Sequence, residues 1–411
     1  MKLTIASVLS LIGAAFAATD GPYSIGPSPA GFETGVLNAT LFCNVSSTGL
    51  NLKNQQIAFG VAALLPNRVN ASQPFSVVAA TRLIVPASIN NLAYGFGART
   101  YAGNATKVIV NAQGSTPAFI DAASTPIPIP SAPVVSGGPT VLEVPGNGGT
   151  ITVGPFTGAA NSNIVFSFGD INAIIKTYNS TGGATFLVAN VTCPAQARPA
   201  SLAYVAVGGS GSTTAIVPSS NGNIPTVPIN STSGTTAYTY SCTFTGIGTS
   251  PVTLSVGGSK ASNNAVTSGS SVAISLGQGN IYVTPALTSL FTAKYSSGTA
   301  YSLNVTTLNF AATNASPSTK NGIPGSGIAT PITPVSSTTA VLSLPNGAPA
   351  TTLPDIAFTA SGASGSTSLI SIGSAAGSVT IYNSANAAIA TVPFSCPALS
   401  PNVPVLPFDI L

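Results

Sequence analysis

Ser378-Val379-Thr380-Ile381-Tyr382-Asn383-Ser384 is a run of β-branched and aromatic residues that stops on Asn-Ser. Such residues fit the pleated, half-buried surface of a strand, and Asn and Ser end it by bonding to nearby backbone. The same ending stands at Tyr178-Asn179-Ser180. Working outward, Ile151-Thr152-Val153, Ile164-Val165-Phe166-Ser167-Phe168 and Thr185-Phe186-Leu187-Val188 have the same character. Gly, Pro, Asn and Ser punctuate the chain at intervals of roughly 8–12 residues, the pattern of sandwiches and barrels. Good helix formers such as Glu, Lys, Arg and Gln are scarce, and no stripe of helical period carries a charged face. Short helical turns are expected only near Ala286 to Leu290 and the equivalent Ala87 to Leu92.

Self-comparison extends the Tyr-Asn-Ser match along the whole chain. Leu41-Phe42-Cys43 answers Tyr240-Ser241-Cys242, and Val85-Pro86-Ala87 answers Thr284-Pro285-Ala286. Asn104-Ala105-Thr106 answers Asn304-Val305-Thr306, and Val141-Leu142-Glu143-Val144-Pro145 answers Val341-Leu342-Ser343-Leu344-Pro345. Cys193-Pro194-Ala195 answers Cys396-Pro397-Ala398. The matches keep their order while the offset drifts only from 199 to 204, so the sequence reads as one unit written twice. The expected organisation is a first β-domain over 18–198, a Gly/Ser/Thr/Pro-rich linker over 199–236, and a second β-domain with a Pro-rich tail over 237–411. Leu202 to Val207 is the one stretch of that linker with the look of a strand.

Cys43, Cys193, Cys242 and Cys396 open and close the two units. Four cysteines allow three pairings. Equivalent units should pair equivalently, which favours Cys43–Cys193 and Cys242–Cys396. Closing loops of this length stabilises by about 4–5 kcal/mol in a chain-entropy treatment, whose physical basis is disputed. The expected fold class is therefore all-β, as two tandem disulfide-closed, β-sandwich-like (Ig-like) domains.

Met1-Lys2, the apolar run Leu3 to Gly13 and Ala15-Phe16-Ala17 have the form of a secretory signal cleaved after Ala17. Its removal with Lys2 takes the net charge from +4 to +3, too weak to argue for a polyanionic partner. Pro401 to Leu411 lacks the spacer and apolar tail of a lipid-anchor signal. Asn-x-Ser/Thr sequons occur at Asn38, Asn44, Asn70, Asn104, Asn179, Asn190, Asn230, Asn304 and Asn314, the last weakened by Pro317. Used sites would supply solubility that the scarce charges do not.

The opening Tyr240-Ser241-Cys242-Thr243-Phe244-Thr245-Gly246-Ile247-Gly248, the central Pro285-Ala286-Leu287-Thr288-Ser289-Leu290 and the closing Cys396 resemble an uncharacterised family of secreted two-cysteine β-domains known from actinobacteria. The likeness covers most of 238–398 and, more faintly, 40–195. It implies a secreted, disulfide-closed β fold and no particular activity. The first unit departs from the opening pattern at Leu41-Phe42-Cys43-Asn44-Val45, and the many sequons suggest a eukaryotic source.

The 411 residues include 11 Lys and Arg, 7 Asp and Glu, no His and no Trp. Charged residues make up 4%, where a soluble protein usually has about 25%. His-based triads, His-ligated zinc and a basic nucleic-acid face are thereby excluded. Glu143 and Asp170 form the one pairing that suggests a glycosidase. Their counterparts are Ser343 and Ser374, so the second unit would lack it. Ser–Lys dyads would draw on Lys176, Lys260, Lys294 or Lys320, but nothing places a serine beside them. Asp170-Ile171-Asn172 supplies too few carboxylates for calcium, and Gly257-Gly258-Ser259-Lys260 is a turn rather than a phosphate cradle. Asp170 and Lys176 leave an isopeptide cross-link conceivable in the first unit only. Sugar-binding modules commonly stack sugars on Trp, whereas here only 11 Tyr and 17 Phe are available.

The expected function is that of a secreted, non-enzymatic structural or adhesive protein of a cell surface, wall or extracellular matrix. It would have no cofactor, metal, nucleic acid or membrane span, and its partner would be a wall or matrix component or itself. The alternative is a polysaccharide- or lipid-binding module.

Overall fold

The structure, a computed structural model, describes residues 32–146, 149–197, 199–208, 231–261, 265–347, 351–400, 402 and 404–411. The expected signal sequence, Asn230 and the side chain of Asn38 lie outside the described residues.

The first half contains β1 (Phe32–Ser47), β2 (Leu50–Pro66), β3 (Phe75–Val85), α1 (Ala87–Gly95), β4 (Thr100–Gln113), β5 (Thr140–Val144), β6 (Ile151–Gly158), β7 (Ser162–Tyr178), β8 (Ala184–Cys193) and β9 (Ala203–Val207). The second contains β10 (Ser231–Phe244), β11 (Gly248–Ala261), β12 (Ser271–Val283), α2 (Pro285–Lys294), β13 (Ala300–Ala312), β14 (Ala340–Leu344), β15 (Ile356–Ala360), β16 (Thr367–Tyr382), β17 (Ala388–Cys396) and β18 (Pro404–Ile410). Short bridging strands lie between them. The fold is nearly all-β and sandwich-like.

In the first half β1 pairs with β2, β2 with β3, and β3 with β5 and β6, all antiparallel. On the other side β7 pairs with β4, β8 and β9. The two groups meet where β1 runs antiparallel to β8 at Asn44–Thr192 and Ser46–Asn190. β9 also lies parallel to Arg68–Val69. The second half repeats this scheme strand for strand. β10 pairs with β11, β11 with β12, and β12 with β14 and β15. β16 pairs with β13, β17 and β18, β17 returns to β10, and β18 lies parallel to Ala265–Val266.

The strands form because their side chains alternate. In β1, Leu41, Cys43 and Val45 are buried while Phe42, Asn44 and Ser46 are exposed. In β10, Tyr238, Tyr240, Cys242 and Phe244 are buried while Thr239, Ser241 and Thr243 are exposed. Inward residues of facing strands make the core: Leu41, Phe59 and Val61 pack in one cluster with Tyr101, Ile171 and Ile175. The first half divides its core between that cluster and a second around Phe75, Phe156 and Phe166, whereas the second half has one continuous cluster. Disulfides join Cys43 to Cys193 and Cys242 to Cys396, across separations of 150 and 154 residues. Each ties an early strand to a late one.

Several short repeated motifs turn out to be turn-makers. Asn179 Oδ1 accepts hydrogen bonds from the Thr181 and Gly183 amides, and Asn383 Oδ1 accepts from Ala385 and Ala387. The side chain thus shapes the β7–β8 and β16–β17 hairpins. The helices begin one residue out of step with the Pro-Ala match. Pro86 caps α1 without a side-chain bond, whereas Thr284 caps α2 by accepting from the Leu287 amide and Pro285 is the first helical residue. Proline suits either place because it leaves no useful donor unpaired there.

The stretch expected as linker, 199–236, is strand at both ends. β9 takes its place beside β7, and β10 begins at Ser231. Hydrogen bonds also cross between the halves. Asn67 Nδ2 donates to Thr236 Oγ1 (3.0 Å) and the Ala237 carbonyl (2.8 Å), and Ser201 donates from both N and Oγ to Asp409. Arg68 reaches the Ser400 carbonyl, and β1 pairs with β10 over Glu33–Val36 and Ser233–Thr236.

Candidate functional site

Glu143 and Asp170 are placed apart, and each is occupied. Glu143 on β5 lies opposite Arg82 on β3, and Arg82 Nη2 donates to Glu143 Oε1 at 2.9 Å. Asp170 on β7 accepts from Lys107 Nζ (2.9 Å) and, at its other oxygen, from the Ala195 amide (2.9 Å). The lysine hydrogen bond, then that amide, hold its carboxyl below the usual range. Both pairs are solvent-exposed, so each contributes little to stability. In the second half Asn280 and Ser343 occupy the Arg82–Glu143 positions, and Ser343 Oγ donates to Asn280 Oδ1 at 3.2 Å.

Asp121 has a structural role. Its Oδ1 accepts from the Val108 and Ala123 amides, as Asn321 Oδ1 accepts from Leu308 and Ile323. An amide oxygen does the same work in the other half, so the position needs an acceptor rather than a charge. The four cations between residues 68 and 107 are likewise engaged. Arg68 donates to the Gly208 and Ser400 carbonyls, and Arg99 donates to the Tyr94 and Ala98 carbonyls with its guanidinium 3.6 Å from the Tyr94 ring centre. Arg82 and Lys107 hold the two carboxylates. Lys320 donates to the Ala357 carbonyl at 3.2 Å, Lys176 and Lys294 are exposed, and the side chain of Lys260 lies outside the described residues. Among the described residues no group of three or more His, Cys, Asp or Glu is placed to hold a metal. Among them also, no helix is long and apolar enough to cross a membrane.

Inside the second half is an apolar cavity with about 30 Å³ open to the centre of a water-sized sphere. Tyr240, Phe244, Leu287, Phe291, Leu344 and Phe394 are among the residues around it. The Tyr240 hydroxyl donates to the Gly373 carbonyl, and burial raises its pKa. The space would admit one or two waters by volume, but a wall without polar atoms keeps such a cavity dry.

The outer face of the second half is neutral. β10, β13, β16 and β17 contain no charged residue. Thr239, Ser241, Thr243, Thr306, Thr391 and Ser395 are exposed on these strands. Hydroxyls join across strands at Thr239–Thr253 (2.9 Å) and Thr243–Thr249 (3.3 Å). Such pairs add modestly to sheet stability.

Residues 40–203 match a family of unknown function, DUF6801. The DUF6801 match runs from β1, just before Cys43, to the first residue of β9, and so takes in both cysteines of the first half. The match falls on the stretch where the sequence shows the fainter likeness, 40–195. No curated protein and no solved structure matches the chain.

Sequence reasoning missed the polar groups that tie distant segments. Asn90 on α1 is fully buried, donates to the Gly138 carbonyl and Thr140 Oγ1, and accepts from the Tyr101 hydroxyl. Asn67 and the Ser201–Asp409 contact join residues 169 to 208 positions apart. A buried Asn leaves no local signature in an Asn-rich chain.

Proposed function

We propose that the chain is a secreted, non-enzymatic, tandemly duplicated protein. It would act structurally or adhesively at a cell surface, wall or extracellular matrix. The observation that carries this reading is the uncharged hydroxyl face of β10, β13, β16 and β17. Such a face offers many hydrogen bonds and no charge for a polyelectrolyte to find. The ion pairs and engaged cations of the first half support the same conclusion, because Arg68, Arg82, Arg99, Lys107, Glu143 and Asp170 direct their charge to partners within the fold. Duplication supports it through avidity, since two copies of one module multiply weak contacts.

The hydroxyl face also favours the polysaccharide branch of the alternative, because neutral sugars present matching donors and acceptors. The small dry cavity gives no comparable support to a lipid. Fractionation of the producing cells, followed by washing the bound fraction with rising NaCl, tests the proposal. Little release is expected between ~50 and ~500 mM, since salt screens exposed charge pairs and leaves neutral contacts intact. Sharp release over that range refutes neutral adhesion, and recovery solely from the cell interior refutes export.

A further inference from the structure

On the outer face where β1, β8, β7 and β4 lie side by side, three sequons fall within two rungs of the sheet. Asn44 stands opposite Thr192 and Ser46 opposite Asn190, so Asn44-Val45-Ser46 and Asn190-Val191-Thr192 pair reciprocally across antiparallel strands. Ile174 stands opposite Asn190 on one side and opposite Asn104 on the other. All three asparagines are exposed. Among them lie apolar side chains that the fold leaves uncovered: Phe42 at 40% exposure, Ile174 at 38% and Val188 at 43%. Residues two apart on a strand share a face. Phe42 therefore neighbours Asn44, Val188 neighbours Asn190, and Ile174 touches the rows of both Asn190 and Asn104.

The second half supplies the control. The counterparts of Phe42, Val188 and Ile174 are Ser241, Thr391 and Ser378, and those of Asn44 and Asn190 are Thr243 and Pro393. Where two sequons are lost, the exposed apolar residues are lost with them. The third sequon survives as Asn304, which is only half-exposed and packed so closely that a Cβ on Gly327 would fall 2.5 Å from its Oδ1.

We infer that Asn44, Asn104 and Asn190 carry N-linked oligosaccharides that cover the apolar patch of this face, with the first sugar at Asn44 lying on the Phe42 ring. The donor is an oligosaccharide linked through pyrophosphate to a lipid. The Nδ2 of each asparagine forms a bond to the anomeric carbon, the carbon–oxygen bond to pyrophosphate breaks, and the lipid pyrophosphate leaves as Nδ2 gives up one proton. The apolar face of a sugar ring shields an aromatic face from water as another side chain would. Asn314 is excluded from the set because its Nδ2 donates to the Thr367 carbonyl at 2.7 Å.

This inference rests on export. The full chain is secreted from a eukaryotic host, and its peptides are mapped by mass before and after enzymatic removal of N-glycans. Sugar is expected at all three positions and not at Asn314. The variants Asn44→Gln, Asn104→Gln and Asn190→Gln each lose one sugar chain, as do Ser46→Ala and Thr192→Ala, which keep the asparagine. Phe42→Ser lowers the melting temperature of the sugar-bearing protein and leaves that of the sugar-free protein unchanged or raised. A secreted chain bare at Asn44 and Asn190, or an equal effect of Phe42→Ser in both forms, overturns the inference alone. A chain that never enters the secretory pathway overturns export and this inference together.

Discussion

The two halves seat their helices by opposite chemistry. In the first, α1 presents Asn90, whose amide bridges Gly138, Thr140 and the Tyr101 hydroxyl without exposure to water. In the second, α2 presents Leu287 and Phe291, and Phe291 packs edge-on to Phe244 and tilted against Tyr301, with ring centres 5.5 and 6.2 Å apart. Tyr101 and Tyr301 are the second residues of equivalent strands, yet the Tyr301 hydroxyl is buried with no hydrogen-bond partner among the described residues. Burial pushes both hydroxyls up to about 12. One topology thus tolerates either a satisfied polar network or an apolar seat. What the halves share is the pairing scheme, the disulfide and the hairpin asparagines, and these are what hold the register.

Five experiments would break or sharpen this comparison, each read in the full chain by hydrogen exchange that resolves the two halves. The largest effect is expected from Phe291→Ala, which removes a fully buried ring beside an existing cavity and should cost about 3–5 kcal/mol in the second half. A cost near zero would mean that α2 is held by something other than its apolar face. Replacing Cys242 and Cys396 together by Ser should cost about 2–5 kcal/mol, as should the same change at Cys43 and Cys193. If either pair destabilised both halves equally, the hydrogen bonds of Asn67 and Asp409 would be strong enough to make the halves one cooperative unit.

Next in size is Asn90→Ala, which leaves buried donors and acceptors around α1 unpaired at a cost of about 1–3 kcal/mol. The matching tyrosine pair sharpens it further. Tyr101→Phe should lose about 1 kcal/mol because it removes a made hydrogen bond, whereas Tyr301→Phe should lose nothing, having no bond to lose. Equal losses would show that the Tyr301 hydroxyl has a partner in solution.

The smallest effect is that of acid. The folded-state pKa of Asp170 lies below its unfolded value, so its contribution is present above that unfolded value and is lost as pH falls through the folded one. The first half should therefore weaken slightly below about pH 4, the ordinary carboxylate range. Lys107→Met should reduce that dependence and leave the smaller part due to the Ala195 amide. An acid response confined to the second half would contradict it.

Much of this fold was legible because its signals are local. Runs such as Ile164 to Phe168 specify strands by residue shape, and Tyr-Asn-Ser marks hairpins because one side-chain oxygen can take two amides. Short helices were visible at Ala286 to Leu290. The α-helical offset was misread by one residue, since proline serves equally as cap and as first helical residue. β9 was legible as a strand in Leu202 to Val207, but its pairing was not, because its parallel partner Arg68–Val69 lies more than 130 positions away. The hydroxyl face could be counted as Ser and Thr in the sequence, but not assembled, because its rows draw on four strands spread over 160 residues.

The placement of the disulfides has a mechanical consequence. Cys43 and Cys193 lie close to the two ends of the stretch that forms the first half, and Cys242 and Cys396 do the same for the second. Tension applied along the chain would pass through each covalent bridge and bypass the strands between. Each bridge withholds about 500 Å of contour from extension, taking about 3.4 Å per residue. A protein stretched between two surfaces would therefore lengthen only outside the bridges, where β9, β18 and the leading parts of β1 and β10 lie, and the strands enclosed would stay held until a sulfur–sulfur bond was reduced.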